Sequence, residues 1–441
     1  MQFTTLMLAL TATPALASFN FNPLEHSAGI SPYFSPHNPP IAVSPPQGCN
    51  VTRAAFLIRH AAIYANDFDY ESYLEPLVKK LRNTTQDWAS TQSLRFLANW
   101  TAPVDDEHLE RLTRFGMQQA MLLGADIRQR YNHLDLPKRV WSSTADRTVK
   151  SAEAFLAGYT HNNTKLVNLT QIEESKKLGA DSLTPYKSCK AYSSSYGSKQ
   201  SSKFIDVYTK PIIARLKAEV PRFNFTQDDI TAMFEFCGYE TVIRGDSPFC
   251  APTLFNADEW LGFEYANDIM YFHNAGYGRE LSPSLGFPWV NATVSALDDE
   301  SSSQELYVSF THRELPPTVI TALGLYNNSA FTGANDVNQT MPNNTINYNR
   351  AWKSSEILPF LTNIAIEKMS CESPGFDEGS YYRVLNNASP QPLVGCRDGP
   401  GGSCSQDQFL KFMKTRGESY GDFNKACDGD NLPSSLSIYE A

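Results

Sequence analysis

The sequence predicts an α/β fold, a buried sheet domain with a largely helical inserted lobe. Three short segments carry that reading, at residues 54–58, 139–143 and 306–310. The first is a continuous apolar run of the kind expected for a strand covered on both faces of a sheet, and the other two are short strands. Each ends in polar residues and hands over to a stretch with helical spacing. Strand followed by helix, repeated, is the signature of the α/β class.

Taken in order, residues 1–17 read as a signal peptide. Leu6, Met7, Leu8 and Leu10 form a short apolar region, and Ala15-Leu16-Ala17 offers a small-x-small cleavage site. The run falls short of the ~20 residues a membrane span needs. The mature chain is therefore expected to begin near Ser18 and to be soluble and secreted, with no membrane partner. Residues 18–48, rich in Pro, Ser and Asn, predict an irregular arm. Ala54-Ala55-Phe56-Leu57-Ile58 is the first strand and stops at Arg59-His60. Leu112, Phe115, Met121, Ile127 and Tyr131 predict an amphipathic helix over residues 109–131.

Residues 139–143 form the second strand. A helix follows with Val149, Ala152, Leu156 and Tyr159 on one stripe, and Thr144 or Asp146 as its N-cap. The third strand runs into Thr311-His312-Arg313-Glu314, and Pro316-Pro317 opens the helix around residues 319–325. Between these parts, residues 204–220, 226–236 and 259–271 have helical character. The expected organisation is a core of about 50–160 and 300–370, a helical insert of about 161–299, and a cysteine-bearing tail of about 371–441.

The net charge of −10 argues against nucleic acid or an anionic membrane as partner, since both require a basic surface. It also disfavours an anionic substrate at neutral pH, a repulsion that eases near pH 3–5 as carboxylates protonate; solubility is the plainer reason for the same charge. The eight cysteines include no Cys-x-x-Cys pair, so four disulfides are expected rather than zinc. No metal or other cofactor is expected, because no acidic cluster offers a cation cage. Eleven Asn-x-Ser/Thr sequons, at Asn50, Asn83, Asn99, Asn162, Asn168, Asn224, Asn291, Asn327, Asn338, Asn343 and Asn387, suggest a surface bearing N-linked glycans.

In open α/β sheets, sites form beyond the carboxyl ends of strands, where helix N-termini also favour anions. That rule groups Arg59, His60, Arg147, His312 and Glu314. The segments Phe56-Leu57-Ile58-Arg59-His60, Ser143-x-x-x-Arg147 and the strand ending at His312 resemble, in order and spacing, the histidine acid phosphatases. Leu112-Thr113-Arg114-Phe115-Gly116, Ser247-Pro248-Phe249-Cys250 and Ala322-Leu323-Gly324-Leu325-Tyr326 are similar to stretches of the fungal phytases and acid phosphatases.

The resemblance implies the histidine-phosphatase α/β sheet domain and a phosphoric monoester hydrolase acting on a small phosphate monoester. It implies His60 as the nucleophile that becomes phosphorylated, Arg59 and Arg147 as the phosphate clamp, and His312 as the second histidine at the phosphoryl group. Most members have His-Asp where this chain has His312-Arg313. His312-Arg313-Glu314 fits the His-Ala-Glu variant of the inositol polyphosphate phosphatases, with Glu314 as proton donor. The resemblance also implies the disulfides Cys49–Cys371, Cys189–Cys427, Cys237–Cys250 and Cys396–Cys404.

The chain departs from the pattern Arg-His-Gly-x-Arg-x-Pro at Ala61, Ile63 and Ala65. Ala61 is expected to crowd the phosphate with a methyl group, and Ile63 removes a guanidinium. Two alternatives follow: acid–base chemistry on another metabolite, such as an isomerisation or cyclisation, or anion binding without turnover. Trp260 and Tyr265 are expected to be packing residues of the insert, with substrate contact as the alternative.

Overall fold

The computed structural model describes residues 21–36, 39–329, 340–429 and 431–440. The signal-peptide reading and the sequon at Asn338 lie outside them. The centre is an eight-stranded sheet of order β3-β2-β4-β1-β5-β6-β7, with β8 beside β6. Its strands are β1 (Cys49–Arg59), β2 (Arg139–Ser143), β3 (Asn168–Ile172), β4 (Leu306–Thr311), β5 (Asn363–Cys371), β6 (Gly379–Asn386), β7 (Ser389–Pro390) and β8 (Cys404–Ser405). β1, β4, β2 and β3 are parallel; β5 and β6 continue the sheet antiparallel.

β1 explains why only its second half read as a strand. From Ala54 onward it pairs with β4 on one side and β5 on the other. Residues 54–59 are all buried or nearly so, whereas Asn50 and Thr52 are exposed. Two-sided burial selects a continuous apolar run and one-sided burial an alternating one.

Among the described residues nine longer helices accompany the sheet: α1 (Glu75–Arg82), α2 (Arg114–Arg130), α3 (Asp146–Tyr159), α4 (Ser198–Glu219), α5 (Gln227–Arg244), α6 (Ala257–Asn274), α7 (Ser282–Asp298), α8 (Leu315–Leu323) and α9 (Gln406–Tyr420). α2 starts later than its apolar spacing suggests, because Thr113 caps it by accepting from the Gly116 N–H at 2.9 Å. α3 has neither expected side-chain cap. Its N-cap is Ala145, whose N–H donates to Glu174 across 3.2 Å. α2 and α3 cross at Gly124 and Gly158, where a Cβ would strike the carbonyl oxygens of Phe155 and Met121. That close crossing fixes α3, which carries Arg147 in its first turn.

The helical character of the insert is interrupted by β3, which lies within residues 161–299 and joins the sheet beside β2. Helix α7 went unread because it is buried on nearly every side, leaving no stripe to detect. The tail is part of the core sheet: β6 pairs with β5 along its length, and Tyr382 stacks on Phe409 of α9 at 4.3 Å.

The disulfides join Cys49 to Cys371, Cys189 to Cys427, Cys237 to Cys250 and Cys396 to Cys404, the pairs implied by the resemblance. One sequon is overturned as a glycan site. Asn387 is buried, accepting from Thr362 Oγ1 at 3.0 Å and the Asn363 N–H at 2.9 Å and donating to Glu356 O at 2.8 Å. No described helix is long and apolar enough to cross a membrane.

Candidate active site

The parallel register of β1 and β4 sets the two histidines side by side. Arg59 aligns with Thr311, and the His60 N–H donates to Thr311 O at 2.9 Å, so His60 and His312 leave adjacent strands together. Their rings lie 5.8 Å apart at 68°. With Arg59, Ile63, Arg147, Arg313 and Glu314 they line a cavity of about 70 Å³ at the carboxyl ends of β1 and β4 and the start of α3.

The tautomer of His60 is set locally. Its Nδ1–H donates to its neighbour's carbonyl, Ala61 O, at 2.9 Å, which leaves the Nε2 lone pair free for chemistry. Burial, and then Arg59, Arg147 and His312 beside it, hold the imidazole well below its ordinary pKa. The shift favours the neutral imidazole, the form an attacking nitrogen needs. His312 is also lowered, mainly by burial, although Glu174 works against the shift. Its Nε2–H donates to Glu174 at 2.8 Å, and its Nδ1 is buried with no hydrogen-bond partner.

Arg59 is held by neutral groups. Its Nη1 donates to Gly29 O at 2.6 Å and to Leu358 O, and the guanidinium lies 4.5 Å over the Phe360 ring. Its Nε has no hydrogen-bond partner, and no carboxylate pairs with it among the described residues. Burial and the nearby Arg313 bring its pKa down to about 10. Arg147 lies 2.5 Å from Glu110, and its Nε is also without a hydrogen-bond partner. Arg313 donates from Nε to Glu314 at 3.1 Å. Burial would raise the Glu314 carboxyl, but Arg313 and His312 bring it below its ordinary value.

The arrangement is a small polar cavity in which a nucleophilic imidazole faces three guanidinium groups and the carboxyls of Glu110 and Glu314. Its residues also match a known group. The sequence profile of the histidine phosphatase superfamily, branch 2, matches residues 50–387. The chain belongs to this family.

Relatives within the histidine phosphatases include an acid phosphatase of Komagataella pastoris, 29% identical over 94% of this chain and 88% of its own length. A phytase of Candida albicans is also 29% identical, over 97% of this chain and 92% of its own. The crystal structure of the phytase from D. castellii shares the fold with a TM-score of 0.86 at 23% identity, covering 98% of this chain and 94% of that one.

Against the histidine phosphatase pattern, all five grouped residues, Arg59, His60, Arg147, His312 and Glu314, line one cavity. The expected crowding by Ala61 is not seen. Ala61 does not line the cavity, and its N–H is committed to Ser151 Oγ at 2.9 Å. Trp260 and Tyr265 are buried packing residues, and the Tyr265 hydroxyl donates to Pro342 O.

Three participants escaped sequence reasoning. Arg313 stands where most members have Asp, and it lines the cavity. Glu110, the partner of Arg147, has a left-handed backbone at φ 63°, which no sequence signal announces in a non-glycine residue. Glu174 lies just beyond β3, a strand that the sequence reading did not identify, and it holds His312 and Lys187 at once. Burial works to raise the Glu174 carboxyl, but those two partners hold it well below the usual carboxylate range. Among the described residues, one group of potential metal ligands is Cys396, Asp398 and Cys404, but both sulfurs are in a disulfide.

Proposed function

We propose that this chain hydrolyses phosphate monoesters through a phosphohistidine at His60. The observation that carries the reading is the convergence of the His60 and His312 rings with Arg59, Arg147 and Arg313 on one cavity of about 70 Å³. That is room for a phosphoryl group or a few waters, and not for a whole substrate. Guanidinium forks match the geometry of phosphoryl oxygens. The loss of an arginine at Ile63 favoured a less cationic pocket for other chemistry, but Arg313 supplies a guanidinium in the same cavity.

In the first step, His60 Nε2 forms a bond to phosphorus as the ester P–O bond breaks, and the departing alkoxide takes the proton of the Glu314 carboxylic acid. In the second, water attacks phosphorus, gives a proton to the Glu314 carboxylate, and orthophosphate leaves with restoration of neutral His60. Arg313 favours the ionised form of Glu314 in the free protein. Phosphoryl oxygens that draw Arg313 away raise the carboxyl and load the donor. His312, held by Glu174, presents its unpartnered Nδ1 and, once protonated, donates to a phosphoryl oxygen.

Secretion and N-glycosylation are part of the proposal. It is supported by the leader sequence, the four disulfides and the exposed sequon asparagines at 50, 83, 99, 162, 168, 224, 291 and 327. The deciding experiment is phosphate release from p-nitrophenyl phosphate between pH 2 and 7, with acid-quenched protein assayed for acid-labile phosphate on His60. Release without any labelled histidine would reject the phosphohistidine. No release at any pH would reject the hydrolase.

A further inference from the structure

A second cavity of about 160 Å³ adjoins the phosphoryl cavity, and the two share Arg313 and Glu314 as a common wall. A substrate with its phosphorus at His60 and its bridging oxygen at Glu314 must place its alcohol here. The inference thus rests on the monoesterase reading above. The geometry points to a leaving-group chamber for an aromatic alcohol bearing a single phosphate, closed by charge to polyphosphorylated substrates.

The charge inventory excludes the polyphosphates. Among the described residues the sole cation lining the chamber is Arg313, which the phosphoryl group already engages, and the acidic groups beside it, Asp69, Glu235 and Glu314, offer no positive charge. Asp69 is held by neutral partners, receiving the Tyr239 hydroxyl and the Asn66 amide at 2.6 Å each. An inositol ring with further phosphates would set several anionic groups beside these residues with no cation beyond Arg313 to receive them, and unpaired charge in a partly dry site is strongly unfavourable.

The walls favour an aromatic ring. Tyr73, Phe263, Met270 and Tyr271 supply apolar and π surface, and Phe68 is 61% exposed while lining the chamber. An exposed phenylalanine beside a cavity is surface available for a ring to stack on. Glu235 adds a polar handle. It is buried, and its Oε2 has no hydrogen-bond partner. Burial, together with Asp69, raises its carboxyl well above the ordinary range, which favours the protonated form, able to donate to an oxygen substituent on the ring. Ser194, Ser198 and Ser202 offer further hydroxyls.

The test compares kcat/KM of the full-length glycosylated protein for 1-naphthyl phosphate, glycerol 2-phosphate and inositol hexakisphosphate. We expect 1-naphthyl phosphate to exceed inositol hexakisphosphate by about 100-fold or more. Ser202→Lys, at an exposed position of α4, should narrow that ratio several-fold by adding a cation. Phe68→Ala should raise KM for 1-naphthyl phosphate more than for glycerol 2-phosphate. Equal or better turnover of inositol hexakisphosphate overturns the chamber proposal while leaving the hydrolase intact, and an unchanged KM ratio in Phe68→Ala overturns its aromatic part. If no ester is turned over, the hydrolase reading fails. The chamber is then judged by thermal shift, where stronger stabilisation by inositol hexakisphosphate than by 1-naphthyl phosphate rejects it.

Discussion

Two buried arginine centres in this molecule are built from the same chemistry to opposite ends. Arg350 sits between α6 and the start of the last core segment. Its Nε donates to Asp268 at 2.5 Å, its Nη2 to Glu264 at 2.8 Å and its Nη1 to Asn347 O at 3.1 Å. All three charged side chains are buried. Burial pushes Asp268 up to about 6, while His26 and Arg350 outweigh burial and keep Glu264 low. Arg59 is equally buried, but it meets two carbonyls and a phenyl ring rather than a carboxylate. One centre neutralises its charge within the fold and leaves no donor idle. The other keeps a positive charge and an unpartnered Nε beside a cavity. A buried charge the protein does not match is costly, and it persists where an external anion completes it.

Five measurements test that contrast. The largest effect is expected for His60→Ala, which should lower kcat at least 10⁴-fold, about 5.4 kcal/mol, with the melting temperature little changed. A residual rate within tenfold of the parent would place the chemistry elsewhere. Next is Arg350→Ala, which strands two carboxylates in the core. It should cost about 3–5 kcal/mol in denaturant unfolding, while activity per folded molecule holds. A small stability change with lost activity would erase the distinction between the centres.

Arg147→Ala should lower kcat/KM about 100-fold, roughly 2.7 kcal/mol, with little loss of stability because the side chain is half-buried. A loss confined to stability would make it a structural residue.

The fourth concerns acid. His60 and His312 have folded pKa values below the unfolded value near 6.5. Below that pH the unfolded chain takes up protons that the folded chain refuses, so stability is fullest above it and falls as pH drops toward the folded values. Each histidine adds a slope of up to about 1.4 kcal/mol per pH unit. His60→Asn should flatten the stability profile between pH 4 and 6.5, and an unchanged slope would show that His60 is protonated in the fold.

The smallest effect tests whether Arg313 stands in for the guanidinium missing at Ile63. Ile63→Arg and Arg313→Asp should each reduce kcat/KM about fivefold, close to 1 kcal/mol, and the double variant should recover most of it. Purely additive losses would separate the two positions.

How much of this was visible beforehand depends on whether a feature is local. The strand core at residues 54–58 was legible because burial on both faces forces an unbroken apolar run, and those at 139–143 and 306–310 because short runs end in polar residues and hand over to helical spacing. Helix α7 was not, since a helix buried all round has no polar side to betray its period. The cap of α3 was misread because the position is served by a carboxylate 29 residues away rather than by a neighbouring hydroxyl. His60, His312, Arg59, Arg147 and Glu314 could be grouped from strand ends alone, but not Glu110 and Glu174, which pair with Arg147 and His312.

By itself the sequence determined the class of the sheet, the residues at its carboxyl edge, an even set of cysteines and the acidic balance of the surface. These follow from residue type and short-range spacing, which the chain carries wherever it goes. Tertiary structure alone decided that Glu174 meets His312 across 138 residues and that Glu110 faces Arg147. It also decided that Arg313 shares a cavity with Ile63, and that the sequon at Asn387 is sealed inside. Such pairings depend on which loops cross the sheet edge together. Closing a loop costs entropy that grows only slowly with its length, so chain distance sets almost no limit on which partners meet.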